Sequence, residues 1–312
     1  MYYIGIDVGG TGIQTGLVDD KAQVIAYNSI PTQPELPFSE QMDHIAEAIH
    51  SLLKSQGVTP DQIERVGAGI PGIADHNGEV IKCANMRWYH LPFAEELKKR
   101  IHKPVFVDND ANVAALAESV AGVSAGTSSS VFITIGTGIG SGIIINGKIW
   151  KGFHAIGSEL GHTIFDLDGV QCTCGNKGCL ERYCSATAII RMAKESLRSH
   201  PESLMYQMTH GNEAEMEAKI VFDAARKDDP VALDVYNRFI SYLSQAIANV
   251  INLIDPEIIV LGGGVSKAGS FLLDAVCRQV PEYVVYNDQP MPEIRIATLG
   301  AKAGMIGAAM LS

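Results

Sequence analysis

A strand, a glycine turn and a second strand occur twice in this chain, and that repetition constrains its fold more than any other feature. Gly10, Thr11, Gly12, Ile13 and Gly16 correspond at one constant offset to Gly136, Thr137, Gly138, Ile139 and Gly142. Each set follows an apolar strand, Ile4 to Val8 in the first copy and Val131 to Ile135 in the second, and precedes another. Short glycine matches arise by chance, but strand context on both sides makes duplication the better reading. Two copies of one hairpin imply two similar lobes facing a cleft. At 312 residues the chain is long enough for both to carry a core.

The remaining pattern is α/β. Tyr3 to Val8, Leu17 to Asp19 and Val24 to Ala26 read as strands. Apolar spacing through Met42, Ile45, Ile49, Leu52 and Leu53 predicts a helix over 39–55. Val66 to Ile70 is a short buried strand and Pro92 to Arg100 is helical. Val105 to Val107 is a strand delivering Asp108, Asn109 and Asp110 to its carboxyl end, with a helix from Ala111 to Ala121. Ser124 to Ser130, small and polar, links into the second lobe. Residues 184–254 read as mainly helical, ending in a long amphipathic helix from about Val231 to Ile254. The strand Ile258 to Leu261, the turn Gly262 to Gly264 and a small-residue helix from Ala301 to Leu311 follow. Gly142 to Lys148 has the glycine and lysine spacing of a P-loop. Ile149, however, takes the required Ser/Thr position, and Asn146-Gly147 reads as a hairpin turn.

Composition removes several function classes. No apolar run approaches the roughly 20 residues of a membrane span. A strand begins at Tyr2 with no basic segment before it, so neither a secretory leader nor a DNA-binding segment is expected. The formal charge of −11 argues against a nonspecific nucleic-acid binder. Three of the six cysteines fall in one short run; Cys83, Cys184 and Cys277 are scattered and are expected as buried free thiols. A reducing cytoplasm fits that usage.

The cysteine run is the most specific chemical signal. His162, Cys172, Cys174 and Cys179 supply one imidazole and three thiols, the ligand set of a closed tetrahedral zinc site, which is usually structural. Glu159 and Glu181 bracket it. Held by such a loop, the two acids can accept hydrogen bonds from sugar hydroxyls, whereas alone they would be ordinary surface acids. His162 is more safely a ligand only, although its second nitrogen could face a substrate. Gly9-Gly10-Thr11 and Gly136-Thr137-Gly138 let backbone amides approach phosphate, where either turn alone would pass for an ordinary hairpin. Asp7, at the end of the first strand, is placed to hold Mg²⁺ beside a transferring phosphate; its plainer reading is a turn cap. Asp110 can accept a proton from an attacking hydroxyl, with Asn109 binding a second hydroxyl. Equally, Asp108, Asn109 or Asp110 can be the N-cap of the helix that follows. Gly262-Gly263-Gly264 would let a flat base lie against backbone, or is a bare turn.

Taken together, these motifs resemble the sugar kinases of the ROK family (repressors, open reading frames, kinases), and among them the bacterial ATP-dependent glucokinases. The resemblance covers essentially the whole chain. Ile6 to Thr11 and Gly136 to Gly140 match the two phosphate motifs, Asn109-Asp110-Ala-Asn112 the sugar and base motif, and Glu159 to Glu181 the zinc signature. It implies an actin-like, ribonuclease-H-like ATPase fold of two lobes around a central cleft. Residues 1–122, completed by the C-terminal helix 299–312, would form the small lobe. Residues 123–298 would form the large lobe, with zinc and a dimer interface. It further implies ATP-dependent phosphorylation of a hexose, most simply glucose, at its 6-hydroxyl. Asp110 would be general base, and Asn85, Asn109, Glu159, His162 and Glu181 would bind the sugar. Asp7, Gly10, Thr11, Thr137 and Gly138 would surround the phosphates and Mg²⁺, with Gly263 and Gly264 at the adenosine. Structural Zn²⁺ and a homodimer or dimer of dimers belong to the same expectation. Gln14 departs from a frequent lysine, leaving one positive charge near the nucleotide unfilled, and Ser141 from a frequent glycine. N-acetylmannosamine, allose, fructose or a β-glucoside are the alternative substrates, and a sugar-responsive regulator is the alternative class.

Overall fold

The computed structural model describes every residue from Met1 to Ser312. The first half runs β1 (Tyr2–Val8), β2 (Gly12–Asp19), β3 (Val24–Pro31), α1 (Phe38–Gln56), β4 (Ile63–Ile70) and then three short strands, β5 (Ile73–Ala74), β6 (Val80–Cys83) and β7 (Trp88–Leu91). Next come α2 (Phe93–Ile101), β8 (Val105–Asn109), α3 (Asp110–Ala121), β9 (Ser129–Ile135), β10 (Ile139–Ile145) and β11 (Lys148–Ile149). The second half is helical through α4 (Glu181–Cys184), α5 (Ala186–Leu197), α6 (Leu204–Met208), α7 (Ala218–Ala225) and α8 (Pro230–Ile254). It closes with β12 (Ile258–Gly262), α9 (Ser270–Gln279), β13 (Glu293–Ile296) and α10 (Ala303–Met310). Two five-stranded sheets result, ordered β3-β2-β1-β4-β8 and β11-β10-β9-β12-β13, with β5-β6-β7 as a small third.

The chain divides into two compact units. One comprises Met1–Phe132, Gly142–Ser158 and Thr298–Ser312; the other comprises Ile133–Ser141 and Glu159–Ala297. The division passes through β9 and β10, inside the second copy of the repeated hairpin.

Local sequence accounts for several element ends. α1 buries Met42, Ile45, Ile49, Leu52 and Leu53 and stops at Gly57, whose φ of 65° lets its amide reach back to the carbonyls of Leu53 and Lys54. α8 starts where Asp229 accepts from the Ala232 amide at 2.8 Å, with Pro230 in the first turn. Asn146 and Gly147, with φ of 52° and 69°, make the tight turn between β10 and β11, so the P-loop-like stretch is a hairpin. Cys277 departs from expectation. It is exposed, because α9 turns Leu272, Ala275 and Val276 inward and leaves Cys277 beside Asp274 and Arg278 on the outer face.

Three glycines on adjacent strands decide how the first sheet is covered. Gly5 of β1 stands opposite Gly16 of β2 and opposite Gly67 of β4. A Cβ at Gly5 would lie 1.8 Å from the Met305 carbonyl oxygen, and one at Gly67 would lie 1.8 Å from that of Ala308. The backbone of α10 therefore rests directly on this bare row. From the helix side, a Cβ at Gly307 would come 1.8 Å from the Val113 carbonyl of α3, and one at Gly304 would come 2.3 Å from the Asp7 carboxylate. Glu118, fully buried on α3, ties down the approach to α10 by accepting from the amides of Thr298 and Leu299, both at 2.9 Å.

Candidate active site and metal centre

In the first unit, β1, β4 and β8 run parallel, and their carboxyl ends carry the acids. Asp7 stands opposite Gly69, and Gly69 opposite Asp108, so Asn109 and Asp110 come out at the same edge as Asp7. Ligands collect at such edges in α/β sheets. Burial raises the Asp7 pKa, and no hydrogen bond or ion pair engages its carboxylate. Gln14 lies opposite it on β2 and brings no charge.

The capping question at the strand-to-helix junction resolves onto Asn109. Its Oδ1 accepts from the amides of Ala111 at 2.9 Å and Asn112 at 3.4 Å, while its Nδ2 donates to the Gly72 carbonyl at 3.1 Å. One amide hydrogen remains for a ligand hydroxyl. Asp110 is the first residue of α3 and is exposed. Its Oδ1 also accepts from the Ala111 amide, at 2.8 Å, so the carboxylate is oriented by the helix terminus without being buried. Asn85 is exposed in the turn after β6. That turn belongs to the same neighbourhood: Cys83 donates to the Pro71 carbonyl at 3.7 Å. Burial pushes the Cys83 thiol up to about 11, and the Asp110 charge adds to the effect. Asn85, Asn109 and Asp110 thus gather around Pro71-Gly72.

Each glycine turn has carbonyls committed within the protein. In the first, Gly9 and Thr11 present their carbonyls to the hydroxyl and the amide of Thr32, at 2.8 Å and 3.3 Å. In the second, Gly136 accepts from the Ala186 amide at 2.8 Å, and Thr137 accepts from the Thr187 hydroxyl. Carbonyls committed elsewhere do not oppose an anion, which favours approach along the amide side. At Gly10 and Gly136 an added Cβ would meet nothing within 4 Å, so the approach is open.

The second unit brings the sulfur cluster, Glu181 and the second turn together. The ligand atoms of His162, Cys172, Cys174 and Cys179 all lie within 4.8 Å of one another. Cys174 and Cys179 sulfurs are 3.5 Å apart, and Cys172 Sγ is 3.8 Å from His162 Nδ1. Tetrahedral zinc with Zn–S bonds of about 2.3 Å has ligand–ligand edges of roughly 3.8 Å, so the donor set fits. Nδ1 is the nitrogen turned to the sulfurs. Gly178, with φ of 71°, passes so close to the Asp166 carbonyl that only glycine fits the loop. In the metal-free protein, burial pushes the Cys179 thiol up to about 12, a cost that a bound cation would reverse.

Glu181 Oε1 accepts from Cys172 Sγ at 3.0 Å, and a Cβ at Gly138 would lie 2.7 Å from Glu181 Oε2. The cysteine loop thereby sets an acid directly against the second turn. Glu159 is exposed at the start of the short turn Leu160–His162. Gly161 lets that turn touch β10, where Ser141 accepts from the Leu160 amide at 3.3 Å. Ser141, a departure at the sequence level, thus has a clear job.

Gly263 has φ of 83° and no room for a Cβ beside Ile135. Gly264 lines a cavity of about 430 Å³ with Ala186, Glu217, Phe222, Arg226 and Lys267. Sequence reasoning missed this wall, since α7 carries no motif; the nearest signal was the triple glycine itself.

Residues 3–312 match the ROK family throughout. The chain belongs to the ROK family. The glucokinase of Halalkalibacterium halodurans is 37% identical to it over 99% of this chain and 94% of that one. The glucokinase of Thermotoga maritima is 36% identical over 99% and 96%. A ROK family glucokinase from Streptomyces griseus, solved in complex with glucose and AMPPNP, superposes with a TM-score of 0.83 at 33% identity, covering 100% of this chain and 99% of that one. The fold is accordingly the actin-like, ribonuclease-H-like fold of the ROK sugar kinases.

Proposed function

We propose that this protein transfers the γ-phosphoryl group of ATP to the 6-hydroxyl of glucose, releasing ADP and glucose 6-phosphate. The observation that carries the reading is the junction between β8 and α3. Asn109 does the capping, and Asp110 is thereby left exposed at a sheet edge shared with Asp7. Asp110 takes the hydroxyl proton as the sugar oxygen attacks phosphorus, a role worth about 10²–10⁴ in rate for a positioned base. Asn85, Asn109, Glu159, His162 through Nε2, and Glu181 bind sugar hydroxyls.

Gly10, Thr11, Thr137 and Gly138 grip the phosphates through amides and hydroxyls. Asp7 holds Mg²⁺, which supplies neutralisation of phosphate charge when bound. The raised pKa of an unpartnered, half-buried carboxylate suits a cation site. Gly263 and Gly264 receive the adenosine, with the cavity beside them taking the base. The four-ligand cluster binds zinc, which fixes the loop carrying Glu181. The proposal includes a cytoplasmic homodimer serving glycolysis.

ADP release with Mg-ATP, measured across glucose, N-acetylmannosamine, allose, fructose and a β-glucoside, tests the substrate; glucose should give the highest kcat/KM. Asp110→Asn should bind glucose and ATP yet lose about 10²–10⁴ in kcat. Near-normal turnover in that variant would remove the base.

A further inference from the structure

We propose that Lys151 is a positioning residue for phosphoryl transfer, acting through Asp108 on the junction that carries Asn109 and Asp110. The proposal rests on Asp110 being the base. Asp108 is almost fully buried, with its side chain 4% exposed, and Lys151 Nζ lies 2.7 Å from its Oδ2. No other donor reaches that oxygen. Oδ1 accepts from the Asn109 amide at 2.8 Å and from Asn112 Nδ2 at 2.9 Å. One carboxylate therefore holds the residue just before Asp110 and the residue two beyond it.

A buried carboxylate without a cation is costly and tends to reorient toward water, which releases the peptide units it organises. Lys151 prevents this. Its position depends on the ion pair, because on one side it borders a cavity of about 670 Å³ that also touches Val107 and Leu116. The same lysine opens the segment leading to Glu159. Its carbonyl accepts from the Gly157 amide at 2.8 Å, and within this loop the Phe153 carbonyl lies 3.2 Å from His76 Nε2. Ala155 and Ser158 sit at φ of 57° and 67°, conformations that a loop keeps only when its ends are pinned. The Lys151–Asp108 pair thus links the base junction to the loop entering the proposed sugar-binding turn.

The test is steady-state kinetics and thermal melting of Lys151→Met, Lys151→Arg, Asp110→Asn and the double variant Asp108→Asn/Lys151→Met. Lys151→Met should lose about ten- to hundredfold in kcat, the scale of a small misplacement of reacting groups, with KM for ATP within about twofold of the parent. Lys151→Arg, which keeps the charge, should return to within about threefold. The double variant has no uncompensated charge, so it should recover the parent Tm while staying slow. Turnover that recovers along with Tm would reduce the pair to a structural strut and overturn the proposal. So would a Lys151→Met variant of normal kcat, or equal losses in Met and Arg. If Asp110→Asn is inactive and Lys151→Met is normal, only the positioning role falls. If Asp110→Asn turns over normally, the base assignment falls.

Discussion

Gly67 and Gly10 are both glycines of the first unit, yet replacing each by alanine should have opposite consequences. A methyl at Gly67 would sit 1.8 Å from the Ala308 carbonyl oxygen. Ordinary contact needs roughly 3.4 Å, so α10 would have to retreat by about 1.5 Å from a sheet on which it rests at several points. Overpacking of this kind costs about 1–3 kcal/mol. The upper end applies because the obstructing atom is main chain and because Gly5 and Gly307 make equally close contacts along the same helix. About 3 kcal/mol corresponds to a Tm lower by roughly 6–12 °C for a unit of this size. Gly10→Ala meets nothing within 4 Å, and its φ is not in the left-handed region, so Tm should stay within about 2 °C of the parent. The added methyl instead occupies the phosphate approach, and KM for ATP should rise. Thermal melting by circular dichroism with ATP-dependent kinetics on both variants decides the matter. A Gly67→Ala protein melting with the parent would refute the close-packed helix. A Gly10→Ala protein with parental KM would refute the open phosphate turn.

Cys174→Ala should lose the bound metal, read as zinc per chain by elemental analysis, and raise KM for glucose more than KM for ATP; unchanged sugar affinity in a zinc-free protein would make the metal incidental. Asp7→Asn should abolish turnover and raise stability in the absence of metal. Burial lifts the Asp7 pKa above its ordinary 3.8, so its contribution to stability is present below that value and lost as pH rises through the lifted one. The asparagine variant should therefore melt above the parent at pH 7, with the gap closing at acid pH. Mg-ATP should raise the Tm of the parent alone; a variant that gains as much would show that Asp7 does not hold the cation.

What could be read along the chain was local. The glycine hairpins and the Asn146-Gly147 turn are each specified by a few consecutive residues. The sulfur cluster was equally legible, because three of its four ligands fall within one short loop. The three short strands β5 to β7 escaped notice, being too brief for periodicity to register. An isolated glycine inside a strand, such as Gly5 or Gly67, marks close backbone approach only once the strand's neighbours are known. Which backbone approaches could not be read, because α10 lies at the opposite end of the chain. Cys277 was misplaced for a related reason. Burial on a helix depends on which stripe meets the core, and a cysteine alone does not declare its side. The Lys151–Asp108 pair and the wall formed by Glu217 and Lys267 carry no spacing signal.

The two hairpin copies have also diverged in how an acid comes to stand beside each turn. At the offset that maps Gly10 onto Gly136, Asp7 maps onto Ile133, a fully buried core residue. The first turn has its carboxylate built into the preceding strand, where strand pairing alone fixes it. At the second turn the acid comes from outside the repeat: Glu181, at the start of α4, reaches Gly138 while accepting from Cys172. One acid therefore depends only on the sheet, and the other on the loop that carries the His162, Cys172, Cys174 and Cys179 cluster. Chelation should consequently separate the two halves of the reaction, weakening the alcohol substrate while the nucleotide end is spared. A metal-free protein that keeps both affinities would mean that the second acid, too, is held by the sheet rather than by the cluster.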